Sequence, residues 1–167
     1  MIGSQKSAIE QKKTQRYEGC YGGKWQRKGQ VCIYRINIYM ELCMEVYFGG
    51  AFQGKLNYVL GKKGNLKVAD GKDCDEKAIQ TADSINHLHL LIQRRIELEK
   101  PVDTLIDELY AVNPKMILIC DEVGSGIVPM ERKDRIYREA VGRVLCAAVQ
   151  KADHVERIFC GIGQCLK

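Results

Sequence analysis

The sequence predicts an α/β fold in which short strands alternate with helices around a mostly parallel central sheet. Three observations lead there. Apolar runs of strand length recur at MEVYF, KMILIC and HVERIFC, while the segments between them carry apolar residues at helical spacing. KMILIC is apolar almost without a break, as a strand covered on both faces must be. A glycine-rich turn, FGGAFQGKL from Phe48 to Leu56, follows the first of these strands and opens onto a helix-forming segment. That is the strand, loop, helix order in which backbone amides can cradle a phosphate.

Taken in order, MEVYF reads as a short buried strand, GKLNYVLGKKG as a helix beginning at the loop, and NLKVADG as a second strand. The stretch from Asp73 to Glu99 reads as helical, with Ile85, Leu88, His89, Ile92 and Ile96 on one stripe and His87 turned towards Leu91 and Arg94. Pro101 opens another helix, on which Val102, Leu105, Ile106 and Leu109 recur and which Asn113-Pro114 stops. After the KMILIC strand and the loop DEVGSGIVP comes a long helix, roughly Glu131 to Lys151, and HVERIFC is the closing strand. Strands joined by right-handed crossovers place a ligand at their carboxyl ends.

The 167 residues are enough for one domain with a real core. Two segments are expected: a basic N-terminal extension at 1–43 and a nucleotide-binding domain at 44–167. Residues 1–43 hold eight Lys/Arg against three Asp/Glu, which accounts for the whole formal charge of +5. The rest is neutral, which argues against a polynucleotide partner. The extension is polar, shows no helical stripe, and ends in VCIYRINIYM, which alternates loosely like a strand. It reads as a disordered arm or as sequence ahead of a true start at Met44, with a transit peptide as the lesser alternative. Eight cysteines without C-x-x-C spacing, metal-type spacing or a secretory signal read as reduced, mostly structural thiols of a cytoplasmic protein. No apolar run has the length of a membrane span.

Gly49, Gly50 and Gly54 allow the N–H groups of the turn, through Ala51, Phe52 and Gln53, to curl around phosphate oxygens, and Lys55 can reach the outer phosphates. The other reading is an ordinary glycine turn with a solvated lysine. Leu56 stands where G-x-x-x-x-G-K-[ST] puts the hydroxyl that ligates magnesium, so a metal there needs water and a carboxylate from elsewhere. The apolar MILIC runs into Asp121-Glu122, which places a carboxylate at a strand end, where it serves as a metal ligand or as a turn cap. His89 on the apolar stripe reads as a core or interface histidine, with a chemical role for it and His87 as the alternative. His154 reads as a turn or cap residue. Arg135, Arg138 and Arg143 read as a solvated face with Glu131, Asp134 and Glu139, or, for Arg138, as a contact to phosphate or a neighbouring subunit.

The run DEVGSGIVP, then Tyr137-Arg138-Glu139 with Gly142, and the final Gly161 and Gly163 resemble the cobinamide kinase/cobinamide-phosphate guanylyltransferase family of cobalamin biosynthesis. With the Gly49 to Lys55 loop these features stand in the family's order, across residues 44–167. The resemblance implies a three-layer P-loop NTPase fold of the RecA-like type, assembled as a homotrimer. It also implies ATP or GTP and magnesium as cofactors, and a cobinamide-like small molecule as substrate. Lys55 would then neutralise phosphate charge, Asp121 or Glu122 would hold magnesium or orient the nucleophile, and Arg138 would lie in the family's helix run. The chain departs from the family in three places. The helix that carries the family's guanylylated histidine is missing between the loop and the second strand, Leu145-Cys146 replaces an Asn-Gln pair, and Leu56 replaces the hydroxyl. The departures leave phosphoryl transfer as the expected activity, with a nucleotide-binding module or regulator that has lost its chemistry as the alternative.

Overall fold

The computed structural model describes residues 43–167. The expectations for the N-terminal extension, including the strand-like stretch 31–40, lie outside the described residues. Among the described residues, six strands form one sheet in the order β2-β3-β4-β1-β5-β6. Strands β1 (Glu45–Gly49), β2 (Val68–Asp70), β3 (Ser84–Asn86), β4 (Ile117–Asp121) and β5 (His154–Phe159) are parallel, and β6 (Ile162–Cys165) returns antiparallel beside β5. The connections carry helices α1 (Lys55–Lys63), α2 (Glu76–Thr81), α3 (Leu88–Glu97), α4 (Leu105–Val112) and α5 (Arg132–Lys151).

The two-residue period of a strand sends alternate side chains to opposite faces, and here both faces are covered. Val46, Leu118 and Cys120 pack with Leu88 and Ile92 of α3, Leu105 and Leu109 of α4, and Val141 and Val144 of α5. Tyr47, Ile117, Ile119 and Ile158 meet Val59 of α1 on the other face. The result is the expected three-layer α/β arrangement. Cys120 is a core residue whose thiol burial pushes up to about 12, and Cys74 is also buried, whereas Cys146, Cys160 and Cys165 are exposed.

Three expectations are corrected. The predicted helix from Asp73 to Glu99 is α2, a buried strand β3, and α3. Ala82 turns the chain to extended geometry (φ −81°, ψ 144°), and Ile85 then takes register between Ala69 and Leu118. A buried strand followed by a helix spaces its apolar residues much as one helix would, so Ile85 and Leu88 mimic a continuous stripe. Helix α4 begins at Leu105 after Thr104 rather than at Pro101. HVERIFC does not close the sheet, because Cys160 (φ 49°) and Gly161 (φ 77°) form a two-residue turn into β6. Positive φ at both central residues suits the right-handed twist of a hairpin.

Candidate functional site

Strand β1 ends at Gly49 and α1 begins at Lys55, so the glycine turn sits at the carboxyl rim of the sheet. A Cβ on Gly49 would fall 2.1 Å from the Ile158 carbonyl oxygen, so only glycine lets the end of β1 lie this close to β5. Gly54 caps α1 in left-handed geometry, φ 75° and ψ 21°. Among the described residues, none of the backbone N–H groups from Ala51 to Gly54 donates to a protein carbonyl. They remain open to an anion, with the positive end of α1 behind them. Lys55 is 7% exposed and folds back over the turn. Its Nζ donates to the Gly50 carbonyl at 2.8 Å and lies 2.6 Å from Asp121 Oδ1. Phe52 stands fully exposed at the tip.

Gln53 keeps its N–H free in the turn and uses its other polar atoms to anchor the loop. Its side-chain Oε1 accepts from the Cys160 N–H at 2.5 Å, and its carbonyl accepts from the Gly161 N–H at 2.9 Å. The loop is thereby tied to the β5-β6 turn. Leu56 packs at the edge of the α1-side core and also lines the cleft.

That cleft has a volume of about 380 Å³ and brings Lys55, Asn86, His87, His89 and Asp121 together. The ends of three adjacent strands supply it. From β4 comes Asp121, opposite Gly49 in register. The buried His89 on α3 takes the Asp121 N–H on Nδ1 at 3.3 Å, which leaves its proton on Nε2, 3.8 Å from Asp121 Oδ2. Burial, only partly opposed by the Asp121 charge, holds His89 below the ordinary histidine range, so the ring is neutral. His89 is therefore a buried histidine that also lines the cleft.

His87 does not face Leu91 and Arg94 as expected, because it is not within a helix. It caps α3 in left-handed geometry, φ 54° and ψ 46°, and its Nδ1 lies 3.0 Å from both carboxylate oxygens of Asp70 at the end of β2. Burial alone would raise the Asp70 carboxyl, but bonds from the Lys72 N–H and from His87 outweigh it and hold Asp70 below its usual range. Arg94 donates to the Gly71 and Cys74 carbonyls at 3.2 and 3.0 Å, fixing the β2 exit against α3. Asp70 and Asn86 were missed by sequence reasoning. Their only signal was the Asp-Gly at the end of the second strand, and the three-residue β3 that brings Asn86 and His87 to the rim was hidden in the apparent helix.

Two expected site residues lie elsewhere. Glu122 accepts from Ser125 Oγ at 2.6 Å and from Arg157 at 3.1 Å, and it borders a separate apolar cavity with Phe48, Val141 and Leu145. Arg138 donates to the Ile127 carbonyl at 3.0 Å and to the Gly124 carbonyl, so it clamps the loop after β4 rather than reaching towards Lys55. Arg135 braces the same loop at the Pro129 and Met130 carbonyls. Arg143 pairs with Glu139 and Asp103 on the solvated face of α5. His154 is the first residue of β5 rather than a cap, and its Nε2 lies 2.7 Å from Glu156 Oε1.

Residues 75–166, more than half of the chain, match the sequence model of the cobinamide kinase / cobinamide phosphate guanyltransferase family. The chain belongs to that family. Its six-stranded, mostly parallel sheet with a glycine turn at the rim is the P-loop NTPase fold of the family. A curated relative, the bifunctional adenosylcobalamin biosynthesis protein CobU of Salmonella typhimurium, is 36% identical over 74 residues, which is 42% of this chain and 41% of the relative. The alignment thus spans less than half of the relative's length. The family match begins at residue 75, after the glycine turn, so the reading of that turn stands on its geometry.

Proposed function

We propose that this chain is a nucleotide-dependent kinase of cobalamin biosynthesis, moving the γ-phosphoryl of ATP or GTP to the hydroxyl of a cobinamide. The observation that carries this is the Lys55 ammonium, buried across an open turn of amides and 2.6 Å from Asp121. Phosphoryl transfer asks for placement and charge neutralisation more than for covalent chemistry. The turn supplies donors in a fixed array, and Lys55 supplies a cation that an incoming phosphate can take over from Gly50 and Asp121. Family membership and the relative's name support the substrate class. The segment between α1 and β2, residues 64–67, contains no histidine, so guanylyl transfer is not part of the proposal. A homo-oligomer, a trimer by family resemblance, is the assembly that accompanies it.

Magnesium fits the donor set in a restricted way. Among the described residues no group of three or more His, Cys, Asp or Glu converges on one point, and Leu56 offers no oxygen. Asp121 alone would hold the ion, with water and phosphate oxygens completing the octahedron that magnesium prefers. When bound, the ion neutralises charge shared by the β- and γ-phosphate oxygens. Among the described residues no helix is long and apolar enough to cross a membrane.

The test is incubation of the purified full chain with γ-labelled ATP or GTP, magnesium and cobinamide. Labelled cobinamide phosphate is expected, and Lys55→Ala is expected to lower its formation by about 10²-fold or more, as loss of one preorganised charge does. Nucleotide binding without turnover would favour a lapsed binding module, and no binding of either nucleotide would remove both readings.

A further inference from the structure

Among the described residues, four titratable groups line the cleft: Lys55, Asp121, His87 and His89. A hydroxyl that attacks phosphorus must lose its proton, and three of the four are already committed. Lys55 is a cation with no lone pair to offer. Asp121 pairs with Lys55 at 2.6 Å through Oδ1 and, once phosphate takes over the lysine, is the carboxylate proposed to hold magnesium. His89 is buried and spends its basic nitrogen on the Asp121 N–H. His87 remains. Its side chain is 40% exposed, and both Asp70 oxygens at 3.0 Å fix its proton on Nδ1, which leaves the lone pair on Nε2. The Asn86 amide nitrogen faces the same ring, 3.1 Å from Nδ1 and 3.5 Å from Nε2, so its N–H meets the Nε2 lone pair only at the outer limit of hydrogen-bond length, where an acceptor hydroxyl displaces it. His87 also holds a left-handed backbone conformation, a cost that folds tolerate where the surroundings enforce it and that clusters at functional positions.

We infer that His87 is the general base of the transfer and that Asp70 is its positioning residue. The inference rests on the kinase reading above. The acceptor hydroxyl binds on the β2-β3 side of the cleft, facing the phosphates held by Lys55 and the turn. As the acceptor oxygen bonds to the γ-phosphorus, the bond from that phosphorus to the β-γ bridging oxygen breaks and the nucleoside diphosphate leaves. The hydroxyl proton passes to His87 Nε2. The imidazolium that results is stabilised by Asp70 and returns the proton to solvent through its exposed edge. The β2-β3 rim of the cleft is accordingly the acceptor subsite, and the loop after Gly49 is the nucleotide subsite.

The experiment uses the full chain and two variants that suit a positive φ: His87→Asn, because asparagine tolerates left-handed geometry, and His87→Gly, which also opens a space. Transfer from labelled ATP or GTP to cobinamide is followed beside nucleotide affinity. In His87→Asn the turnover is expected to fall by about 10²- to 10⁴-fold, the usual worth of a positioned base, with nucleotide affinity unchanged. Added imidazole is expected to restore transfer in His87→Gly, and Asp70→Asn to lower turnover while leaving nucleotide affinity unchanged. Wild-type turnover in His87→Asn would overturn the inference and leave the kinase reading intact. A parallel loss of nucleotide affinity would assign His87 to nucleotide binding instead. Label retained on the wild-type protein without acceptor, and absent from His87→Asn, would make His87 a nucleophile and overturn the base. A wild-type chain that binds nucleotide but transfers nothing would remove the kinase reading, and the base with it.

Discussion

Among the described residues, Lys55 is the side chain that joins the turn to the strand-end carboxylate, and its neighbour Leu56 shows what the site does without. A serine or threonine at that position would aim an oxygen at a metal, whereas the leucine packs against the apolar cluster on the α1 face of the sheet. Leu56→Ser therefore exchanges one contribution for another. Removing the partly buried methyl groups is expected to lower unfolding free energy by about 1–2 kcal/mol, below the cost of a fully buried leucine. The added hydroxyl is expected to tighten binding of the magnesium-nucleotide relative to the metal-free nucleotide. Urea unfolding and nucleotide titrations with and without magnesium measure the two effects. Equal affinities in both titrations would mean that position 56 does not face the metal. The residue scale also shows why chemistry was only partly legible in the sequence. Lys55 and Asp121 were legible because a glycine turn and an apolar strand each announce the residue that follows. The pairing of Asp70 with His87 was not, although His87 itself was a candidate, since the contact is made by two strand ends 17 residues apart.

At the scale of elements, the site depends on how closely β1 approaches β5. Because a Cβ at Gly49 would fall 2.1 Å from the Ile158 carbonyl oxygen, Gly49→Ala must push Ile158 away or tilt the end of β1. The first disrupts the α1-side core and the second moves the turn. Overpacking of this kind costs about 1–3 kcal/mol, and nucleotide affinity is expected to fall along with stability. A Gly49→Ala chain with wild-type thermal midpoint and nucleotide affinity would show that the approach is not required. The longer or more regular elements, β1, α1, β4, α5 and β5, were legible because their apolar pattern outlasts any competing period. Strand β3 was not, because three buried residues, Ser84 to Asn86, cannot display an alternation of their own and the following helix absorbs them. Strand β6 was hidden for the opposite reason. Its four residues are mostly exposed and lack an apolar face, and its pairing is set by a turn whose first residue is Cys160 rather than the usual Asn or Gly.

At the scale of the whole molecule, three ionisable groups among the described residues respond to acid in the same direction, two carboxylates in one pH window and a buried histidine in another. Glu156 lies on the α1 face with Lys62, Tyr58 and His154. Burial alone would raise its carboxyl, but the hydrogen bonds from Lys62 and His154 outweigh burial and hold it below its usual range. Asp70 behaves alike at the opposite edge of the sheet. Each carboxylate contributes stability that is complete above the unfolded carboxylate range of about 4 to 4.5 and is lost as pH falls below that range and through the lower folded value. His89 is also depressed in the folded state. On acidification its unfolded form takes up a proton from about pH 6.5 while the folded form stays neutral. Stability should therefore begin to fall near pH 6.5, with a slope of at most about 1.4 kcal/mol per pH unit for one proton, and fall more steeply below about pH 4.5 as the carboxylates follow. Urea unfolding at closely spaced pH values from 8 to 3.5 resolves the two steps. In His89→Gln, which cannot titrate, the upper step should vanish while the lower one stays. A wild-type profile that is flat between pH 8 and 5 would place His89 in contact with water and remove the argument that its basic nitrogen is committed to Asp121.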